Sequence, residues 1–266
     1  MQLSLMRGHW ALVTGASSGI GMEFCRQLAA SGANVFMVAR RLDRLQALAA
    51  ELTAAHAVQA VPFQLDLSLA GSAANLKSET SRLGITVRLL VNNAAFGPWG
   101  RFQRTDAATY ERMIQLIAGT PIALCSLYRI DLQSFEQSAV INLSSPAALQ
   151  PVPYKAAYSA GKSCMHNFSI ALHGEWVEMG ILVQTLLPGP TASELDTLGG
   201  AYRSELGEDR RPPSEVVRAS LEALATGKPF VTTNKGTYKQ RVFAGVAPIG
   251  MIIKEVKRMF APPAGS

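Results

Sequence analysis

Short apolar runs alternate with amphipathic stretches along most of the chain. The runs are rich in Val, Leu, Ile and Phe and end at Gly, Pro, Asn or Asp, as buried β-strands do, whereas the stretches between them repeat apolar residues at helical spacing. The predicted strands cover residues 10–15, 34–39, 59–65, 87–92, 138–143, 181–187 and 229–233. Strands that alternate with helices form parallel sheets. The pattern therefore predicts an α/β fold, with one doubly wound parallel sheet of seven strands and helices on both faces.

Composition agrees with a single domain over residues 1–266. With 48% hydrophobic and 17% charged residues, the chain is large and apolar enough to bury such a sheet. Residues 1–9 are too short and too polar for a secretory signal, and no apolar run approaches the ~20 residues that span a bilayer. We therefore expect an intracellular, cytoplasmic protein.

The three cysteines indicate neither a disulfide framework nor a metal centre. Cys25, Cys125 and Cys164 each fall in a predicted helix, with no metal-ligand spacing among them. We expect reduced thiols that pack as small apolar side chains. No metal site is predicted.

A glycine-rich turn follows the first predicted strand. The apolar residues 11–13 run into Thr14-Gly15-Ala16-Ser17-Ser18-Gly19-Ile20-Gly21, and residues 22–30 have helical periodicity. Glycines let the backbone approach a pyrophosphate closely, and the N-terminus of the following helix favours negative charge. The spacing is G-x-x-x-G-x-G rather than the commoner G-x-G-x-x-G, so an ordinary tight strand-to-helix turn is the alternative interpretation.

A tyrosine and a lysine lie four residues apart in the run Ala157-Tyr158-Ser159-Ala160-Gly161-Lys162. On a helix, this spacing puts both side chains on one face. A free phenol has a pKa near ~10, so it gives up a proton at neutral pH only when a nearby cation stabilises the phenolate. The pair is therefore suited to proton donation by Tyr158, assisted by Lys162.

The glycine turn and the Tyr–Lys pair together make the chain resemble the classical short-chain dehydrogenase/reductase family. Further motifs of that family follow in order at the ends of strands: Asp66-Leu67, Asn92-Asn93-Ala94-Ala95, Asn142-Leu143-Ser144-Ser145 and Pro188-Gly189-Pro190-Thr191. The resemblance covers roughly residues 8–235, and residues 93–100 and 188–192 look most like its bacterial, NADPH-preferring carbonyl reductase branch. It implies a Rossmann-type fold with a cofactor-binding and catalytic core over residues 8–190, and it implies a homodimer or homotetramer.

The resemblance also implies roles for individual residues. Ser145 lies 13 residues before Tyr158, the family's spacing for the catalytic serine, so Ser145 is assigned rather than Ser144. Hydride arriving at a carbonyl carbon leaves negative charge on its oxygen, which Ser145 and Tyr158 would stabilise and protonate. Lys162 would keep Tyr158 acidic and hold the nicotinamide ribose. The predicted cofactor-binding residues are Gly15, Ser17, Ser18, Gly19, Ile20, Gly21, Arg40, Arg41, Asp66, Leu67, Asn93, Ala94, Tyr158, Lys162, Pro188, Gly189 and Thr191.

The end of the second strand predicts which nicotinamide cofactor binds. An acidic residue there would hold the 2′-hydroxyl of NAD and repel the 2′-phosphate of NADP, but Ala39 occupies this position and Arg40 and Arg41 follow it. Guanidinium groups suit a 2′-phosphate. We therefore predict NADP(H). The alternative is that both arginines simply cap the strand end in water.

One position departs from the family pattern. Ile117 stands where the family carries an asparagine whose backbone carbonyl holds a water that relays protons to the lysine. A backbone carbonyl survives any substitution, and Gly119 and Pro121 are expected to distort the helix here. The departure leaves two alternatives open: an NADP-binding regulatory or scaffold protein with weakened catalysis, and proton transfer without net redox chemistry.

Apolar residues around the predicted site suggest a hydrophobic carbonyl or alcohol as substrate. Phe96, Trp99 and Phe102 follow the fourth strand, and residues 191–213 are predicted to form a lid over the active site. Core packing is an equally good explanation for these aromatic residues. The predicted substrate residues are Phe96, Trp99, Leu149, Val152 and Leu195.

The net charge of +6 arises in the last 39 residues, since the preceding part of the chain is neutral. Apolar residues recur there at helical spacing over residues 246–260, with lysine and arginine between them. A basic amphipathic helix suits weak peripheral contact with an anionic membrane. We favour the alternative, that it covers a partner subunit or its own active site. The basic residues do not form a recognisable nucleic-acid-binding module, so we do not expect the chain to bind nucleic acid.

Overall fold

The computed structural model describes residues 1–192, 194, 210–234 and 236–261, without the side chain of Arg241. Most of the predicted lid over residues 191–213 lies outside these described residues. This includes Leu195, which was predicted to contact substrate.

Seven parallel strands form one sheet in the order β3-β2-β1-β4-β5-β6-β7. The strand order reverses direction between the neighbouring strands β1 and β4. At such a reversal the connections on either side diverge, which creates a ligand crevice at the carboxyl ends of the strands. All seven strands lie within one residue of their predicted bounds, and β1, β3 and β7 are slightly shorter than predicted. The strands are β1 Trp10–Thr14, β2 Asn34–Ala39, β3 Ala60–Gln64, β4 Val87–Asn92, β5 Ser138–Leu143, β6 Ile181–Leu187 and β7 Phe230–Thr232.

Helices cover both faces of the sheet, which confirms the predicted fold class. One buried cluster joins α1, α2 and α7 to one face, and a second joins α3, α5 and α6 to the other. Burial is complete for most side chains of the central strands, which explains their continuous apolar runs. The helices are α1 Gly19–Ala30, α2 Leu42–His56, α3 Ser72–Arg82, α4 Ala107–Ile114, α5 Thr120–Gln133, α6 Ala156–Trp176, α7 Pro213–Ala225, α8 Thr237–Val246 and α9 Ile249–Phe260.

The stretch from Ala107 to Gln133 is helical throughout and is long and apolar enough, by length and composition, to cross a membrane. The expectation that no segment meets this test was therefore wrong. Its apolar residues have another explanation, because Leu124, Tyr128 and Leu132 are buried against the sheet. Helices of a protein core pass the same test.

Two of the three cysteines are packed as predicted. Cys25 and Cys125 are buried, and burial raises the pKa of the Cys125 thiol to about 12. Cys164 is exposed, so the prediction of a buried thiol was wrong there. It lies on the face of α6 that points away from the sheet.

The C-terminal segment forms two helices: α9 lies within the range 246–260 where a helix was predicted, and α8 precedes it. α8 ends at Val246, and Pro248 precedes α9, since proline is favoured next to a helix start but not inside a helix. Ile252 and Val256 of α9 are buried against Val152. The amphipathic periodicity was therefore correct, and the inner face of α9 packs on the chain's own segment between β5 and α6.

Candidate active site

A cavity of about 320 Å³ opens at the carboxyl ends of the central strands. It brings together the glycine turn, the end of β2, the start of the segments after β4 and β5, and the N-terminal half of α6. Its lining residues include fourteen of the predicted cofactor-binding residues: Gly15, Ser17, Ser18, Gly19, Ile20, Arg40, Arg41, Asp66, Leu67, Asn93, Ala94, Tyr158, Lys162 and Pro188.

Close backbone packing shapes the glycine turn. Gly15 has φ +66° and Gly19 has φ +53°, a region that side-chain-bearing residues rarely adopt. Asn93 donates from Nδ2 to the backbone oxygen of Thr14 at 2.8 Å, and its backbone N–H donates to the Thr14 hydroxyl at 2.9 Å. A Cβ added to Gly21 would lie 2.3 Å from the backbone oxygen of Gly15. The turn can therefore reach this compact form only with glycine at these positions.

Gly21→Ala is expected to lower dinucleotide affinity by about tenfold or more and to reduce stability by roughly 1–3 kcal/mol, because backbone atoms of the turn must move apart. Gly174→Ala is the matched control. It is also a helical glycine, but its added Cβ meets only open space among the described residues, so a small gain in stability is expected. Cofactor titration and urea unfolding of both variants measure the difference. Equal behaviour of the two variants would contradict the role of close packing at Gly21.

Arginine side chains gather at the cavity end formed by β2. Arg41 donates to the hydroxyls of Ser17 and Ser18 at 3.0 and 2.9 Å, and to the carboxylate of Glu194 at 2.6 Å. Arg44 donates to the other oxygen of Glu194 at 2.6 Å. Hydrogen bonds from Arg44 and Arg41 lower the pKa of Glu194 to about 2. Sequence analysis missed Glu194, because an acidic residue in a loop 153 positions away carries no motif.

Asp66 lies at the same end of the cavity. Its carboxylate accepts from the Ser68 hydroxyl at 2.6 Å and from the Arg112 guanidinium at 2.9 Å. Partial burial raises the pKa of Asp66, but the hydrogen bonds from Ser68 and the charge of Arg112 outweigh this effect, and the pKa lies below its usual value. Asp66 is thus a fixed, ionised acceptor on the cavity wall.

The Tyr–Lys pair lies on α6 as predicted. Lys162 is buried, and its ammonium donates to the backbone oxygen of Leu143 at 2.7 Å and stands 5.7 Å from the centre of the Tyr158 ring. Burial lowers the pKa of Lys162 to about 8. The ammonium of Lys155 is also 5.7 Å from the same ring centre. Two ammonium groups therefore stand near the Tyr158 ring.

The loop after β4 packs directly on this tyrosine. A Cβ on Gly97 would lie 2.5 Å from Cδ2 of Tyr158. Glycine at this position lets the loop approach the ring face, and the contact restricts the ring's orientation. The Gly97 contact is a further feature that the sequence motifs did not indicate.

The two neighbouring serines have different environments. The Ser144 hydroxyl donates to the backbone oxygen of Lys162 at 2.9 Å. Its proton is therefore already engaged in a hydrogen bond to α6. The Ser145 hydroxyl accepts from the backbone N–H of Ala147 at 3.2 Å. A hydroxyl that accepts in this way retains its own proton for donation. Ser144, rather than Ser145, contacts the cavity described above.

A wide, π-helical turn over Gln115–Gly119 separates α4 from α5. The predicted distortion of this helix is confirmed, and its causes are local. Pro121 has no backbone N–H, so the Ile117 carbonyl lacks the donor four residues ahead that an α-helix would supply. Gln115 is engaged with the Thr120 hydroxyl at 3.0 Å. The Ile117 side chain packs against α6, where a Cβ on Gly161 would lie 2.5 Å from Ile117 Cδ1.

The predicted substrate residues fall into two groups. Phe96 lines the cavity. Trp99 donates from its indole nitrogen to the backbone oxygen of Phe260 at 3.1 Å, and Val152 packs on α9, so these residues join the site to the C-terminal helix. Phe102 is 63% exposed and stacks on Tyr110.

Several predicted residues are not among those that line the cavity in the described part of the chain: Gly21, Ser145, Gly189, Thr191, Trp99, Leu149 and Val152. Gly189 instead packs against Asn234, where an added Cβ would be 3.0 Å from the Asn234 Cβ. Leu65, Leu116 and Leu143 line the cavity without having been predicted. Their only signal was an apolar position beside a motif. Among the described residues, no group of three or more His, Cys, Asp or Glu is arranged to hold a metal ion.

Comparisons with known proteins agree with this geometry. The family model for short chain dehydrogenases matches residues 9–199. The chain is 30% identical to the 7beta-hydroxysteroid dehydrogenase of Collinsella aerofaciens over 227 residues, which cover 84% of this chain and 86% of that protein. It is 31% identical to the galactitol 2-dehydrogenase (L-tagatose-forming) of Cereibacter sphaeroides over 236 residues, 85% of this chain and 91% of that one.

A solved structure shows the same fold. The short-chain dehydrogenase from Sphingobium yanoikuyae in complex with NADPH superposes with a TM-score of 0.80 and 26% identity, over 89% of this chain and 93% of that chain. The strand order, the glycine turn and the Tyr–Lys pair on α6 all match the motif pattern described above. The chain belongs to the short-chain dehydrogenase family.

Proposed function

We propose that this protein is an NADP(H)-dependent oxidoreductase that interconverts a hydrophobic carbonyl compound and its alcohol, with Tyr158 as the acid and base. The observation that carries the proposal is the position of Tyr158 and the buried Lys162 in the same cavity as the glycine turn. When bound, the dinucleotide supplies or accepts the hydride. The protein itself would bind and orient the dinucleotide and the substrate, and it would exchange a proton with the substrate oxygen.

The cavity fits a dinucleotide phosphate. Gly15 and Gly21 let the turn pack closely on itself and on Asn93, and the N-terminus of α1 lines the cavity through Gly19 and Ile20. At the β2 end, Arg41 is held between Ser17 and Ser18, in place to meet a 2′-phosphate. The absence of an acid at Ala39 removes the group that would favour NAD. The NADPH complex of the Sphingobium yanoikuyae relative supports the same choice.

Proton transfer follows from the contacts of three residues. Tyr158 would give its proton to the substrate oxygen, and the positive charge of Lys162 would stabilise the resulting phenolate. Ser145 would donate a hydrogen bond to the same oxygen, since its cap contact uses only an acceptor position. Near neutral pH, Lys162 would remain largely protonated, because the pKa of its ammonium is about 8.

The competing proposal of a catalytically weak scaffold rests on Ile117. The wide turn over Gln115–Gly119 and the missing N–H of Pro121 remove the hydrogen bond that the Ile117 carbonyl would accept in a regular α-helix. This geometry supports a relay through the carbonyl despite the isoleucine. It therefore favours the enzyme over the scaffold.

The substrate class rests on the cavity's apolar walls. Phe96 and Leu116 line it, and the contacts of Trp99 and Val152 with α9 extend an apolar surface beside it. One relative is named for a steroid substrate and another for a sugar alcohol, so sequence similarity alone does not choose between these two substrate classes. The local residues favour a hydrophobic ketone or aldehyde.

The test is binding and turnover measured on the same protein. NADPH fluorescence should change on binding, with NADH as the control, and NADPH oxidation should follow when hydrophobic ketones such as cyclic or long-chain ketones are added. Tight NADPH binding without turnover across the panel would support the scaffold instead. Absence of binding to both nucleotides would overturn the proposal.

A second copy of the chain is proposed to cover the outer faces of α5 and α6. Leu127, Ile130 and Ile170 are exposed there, with Ile130 at 63%. Members of the family commonly associate through these helices. A second copy that buried these exposed apolar side chains would remove them from water, which favours association. Light scattering of the purified protein should give a dimer or tetramer mass, which Ile130→Glu should reduce; a monomeric wild type would contradict this interface.

The outer face of α8 and α9 is proposed to contact an anionic membrane surface. Its exposed apolar residues include Val246 at 78% and Ile249 at 60%, while the inner face of α9 packs on the segment between β5 and α6. The segment 237–260 carries five basic residues and one acid. Two copies of this surface would repel each other, whereas anionic lipid complements both its charge and its apolar residues.

Wild-type protein is therefore expected to co-sediment with vesicles that contain phosphatidylglycerol, and to be released by salt. The double variant Val246→Glu/Ile249→Glu should remain in the supernatant. Leu69→Glu, which charges an apolar residue of similar exposure elsewhere, should behave as wild type. Wild type that stays in the supernatant at low salt, or a change of oligomer size in the double variant, would contradict the membrane contact.

A further inference from the structure

Glu194 joins two parts of the molecule that are distant in sequence. Its two carboxylate oxygens each accept from a different guanidinium, Arg41 and Arg44, at 2.6 Å. Arg41 also holds the hydroxyls of Ser17 and Ser18 in the glycine turn. One carboxylate thus completes a cluster made by the turn, the end of β2 and the first turn of α2.

The charge pattern of this cluster is the one that a phosphate monoester requires. Two guanidinium groups converge on an oxygen anion, which Glu194 supplies within the chain, and one of these guanidinium groups is also held by the Ser17 and Ser18 hydroxyls. The pKa of Glu194 is lowered to about 2 by hydrogen bonds from Arg44 and Arg41, so the carboxylate is ionised at all working pH values. Glu194 also lines the same cavity as Arg40 and Arg41.

We propose that Glu194 competes with the 2′-phosphate of the cofactor for Arg41 and Arg44 and thereby sets the selectivity between phosphorylated and unphosphorylated dinucleotides. The inference rests on the proposed use of NADP(H). A 2′-phosphate must displace the carboxylate to reach these guanidinium groups, whereas a 2′-hydroxyl leaves the ion pairs intact. Glu194 therefore lowers the preference for NADPH over NADH that the arginines alone would give.

Glu194→Gln tests the competition, since it keeps the side-chain shape and removes the charge. Dissociation constants are measured for NADPH, NADH, 2′,5′-ADP and 5′-AMP. The variant is expected to bind NADPH and 2′,5′-ADP about three- to tenfold more tightly, and NADH and 5′-AMP within about twofold of wild type. Glu51→Gln is the matched control, because Glu51 pairs with Arg26 at 2.7 Å at a similar exposure outside the cavity.

The outcomes separate this inference from the proposed function. Unchanged or weaker binding of 2′,5′-ADP by Glu194→Gln, with normal NADPH binding by wild type, overturns the competition alone. Equal tightening of NADPH and NADH also overturns it, because the effect would then not depend on the 2′-phosphate. Wild type that binds neither dinucleotide overturns the proposed function as well. Glu194→Ala provides the same comparison should the glutamine variant fold poorly.

Discussion

Tyr158→Phe is expected to lower kcat for ketone reduction by about 10³-fold, while NADPH affinity changes less than about threefold. The substitution removes only the hydroxyl that would give its proton to the substrate oxygen. The ring remains, and so do its contacts with the Gly97 loop and the flanking Lys162. Steady-state kinetics and fluorescence titration with the same preparation measure the two effects.

Tyr110→Phe is the matched control for this experiment. Its hydroxyl donates to the backbone oxygen of Phe102 at 3.1 Å on the exposed surface, so its loss should leave kcat unchanged. A Tyr158→Phe protein that retains a third or more of the wild-type kcat would show that another group donates the proton. A loss of NADPH binding equal to the loss of kcat would assign Tyr158 to cofactor binding instead.

Lys162→Met is expected to abolish most turnover, by about 10²-fold or more, and at the same time to stabilise the fold at neutral pH. The pKa of this lysine is lowered from 10.5 to about 8 by burial, a difference that corresponds to roughly 3 kcal/mol of unfavourable desolvation. Methionine has a similar length without the charge. Loss of the donor to the Leu143 carbonyl offsets part of the gain, so a net stabilisation of about 1–2 kcal/mol is expected.

The pH dependence of the free energy of unfolding distinguishes the desolvation of the Lys162 charge from general packing effects. Between pH 8 and 10.5 the unfolded chain keeps the lysine proton while the folded protein loses it, so the free energy of unfolding of wild type should rise across this window. Below pH 8 the full cost of burying the charge is present, and above 10.5 it is absent. Urea unfolding at several pH values should show wild type approaching Lys162→Met as pH rises. A constant difference between the two proteins would contradict the desolvation argument.

Under the proposed mechanism, the same buried group would serve catalysis and destabilise the fold. The buried ammonium of Lys162 is unfavourable for folding, and next to the phenol it would favour proton transfer. The surrounding packing makes it possible: Ile117 and Gly161 close the space between α6 and the wide turn, and the Leu143 carbonyl satisfies one ammonium proton.

Local patterns were sufficient to predict the fold class and most of the cavity. Alternating apolar and amphipathic stretches specify strands and helices because their periods differ, and a parallel sheet then brings all strand ends to one edge. The glycine turn, Asn93 and the Tyr–Lys pair are short contiguous motifs on those ends, so they met in one cavity as expected. The helix distortion at Ile117 was also predictable, since Pro121 acts through its own missing N–H.

Features that depend on distant contacts were decided only by tertiary packing. The Arg41–Glu194 pair joins residues 153 positions apart, and the packing of α9 on Val152 determines which face of that helix is buried. The exposure of Cys164 and the different roles of the Ser144 and Ser145 hydroxyls likewise depend on neighbours that no local pattern names. Sequence periodicity specifies which element forms and which side of it is apolar, but the partner of a side chain is selected by the three-dimensional arrangement of the elements.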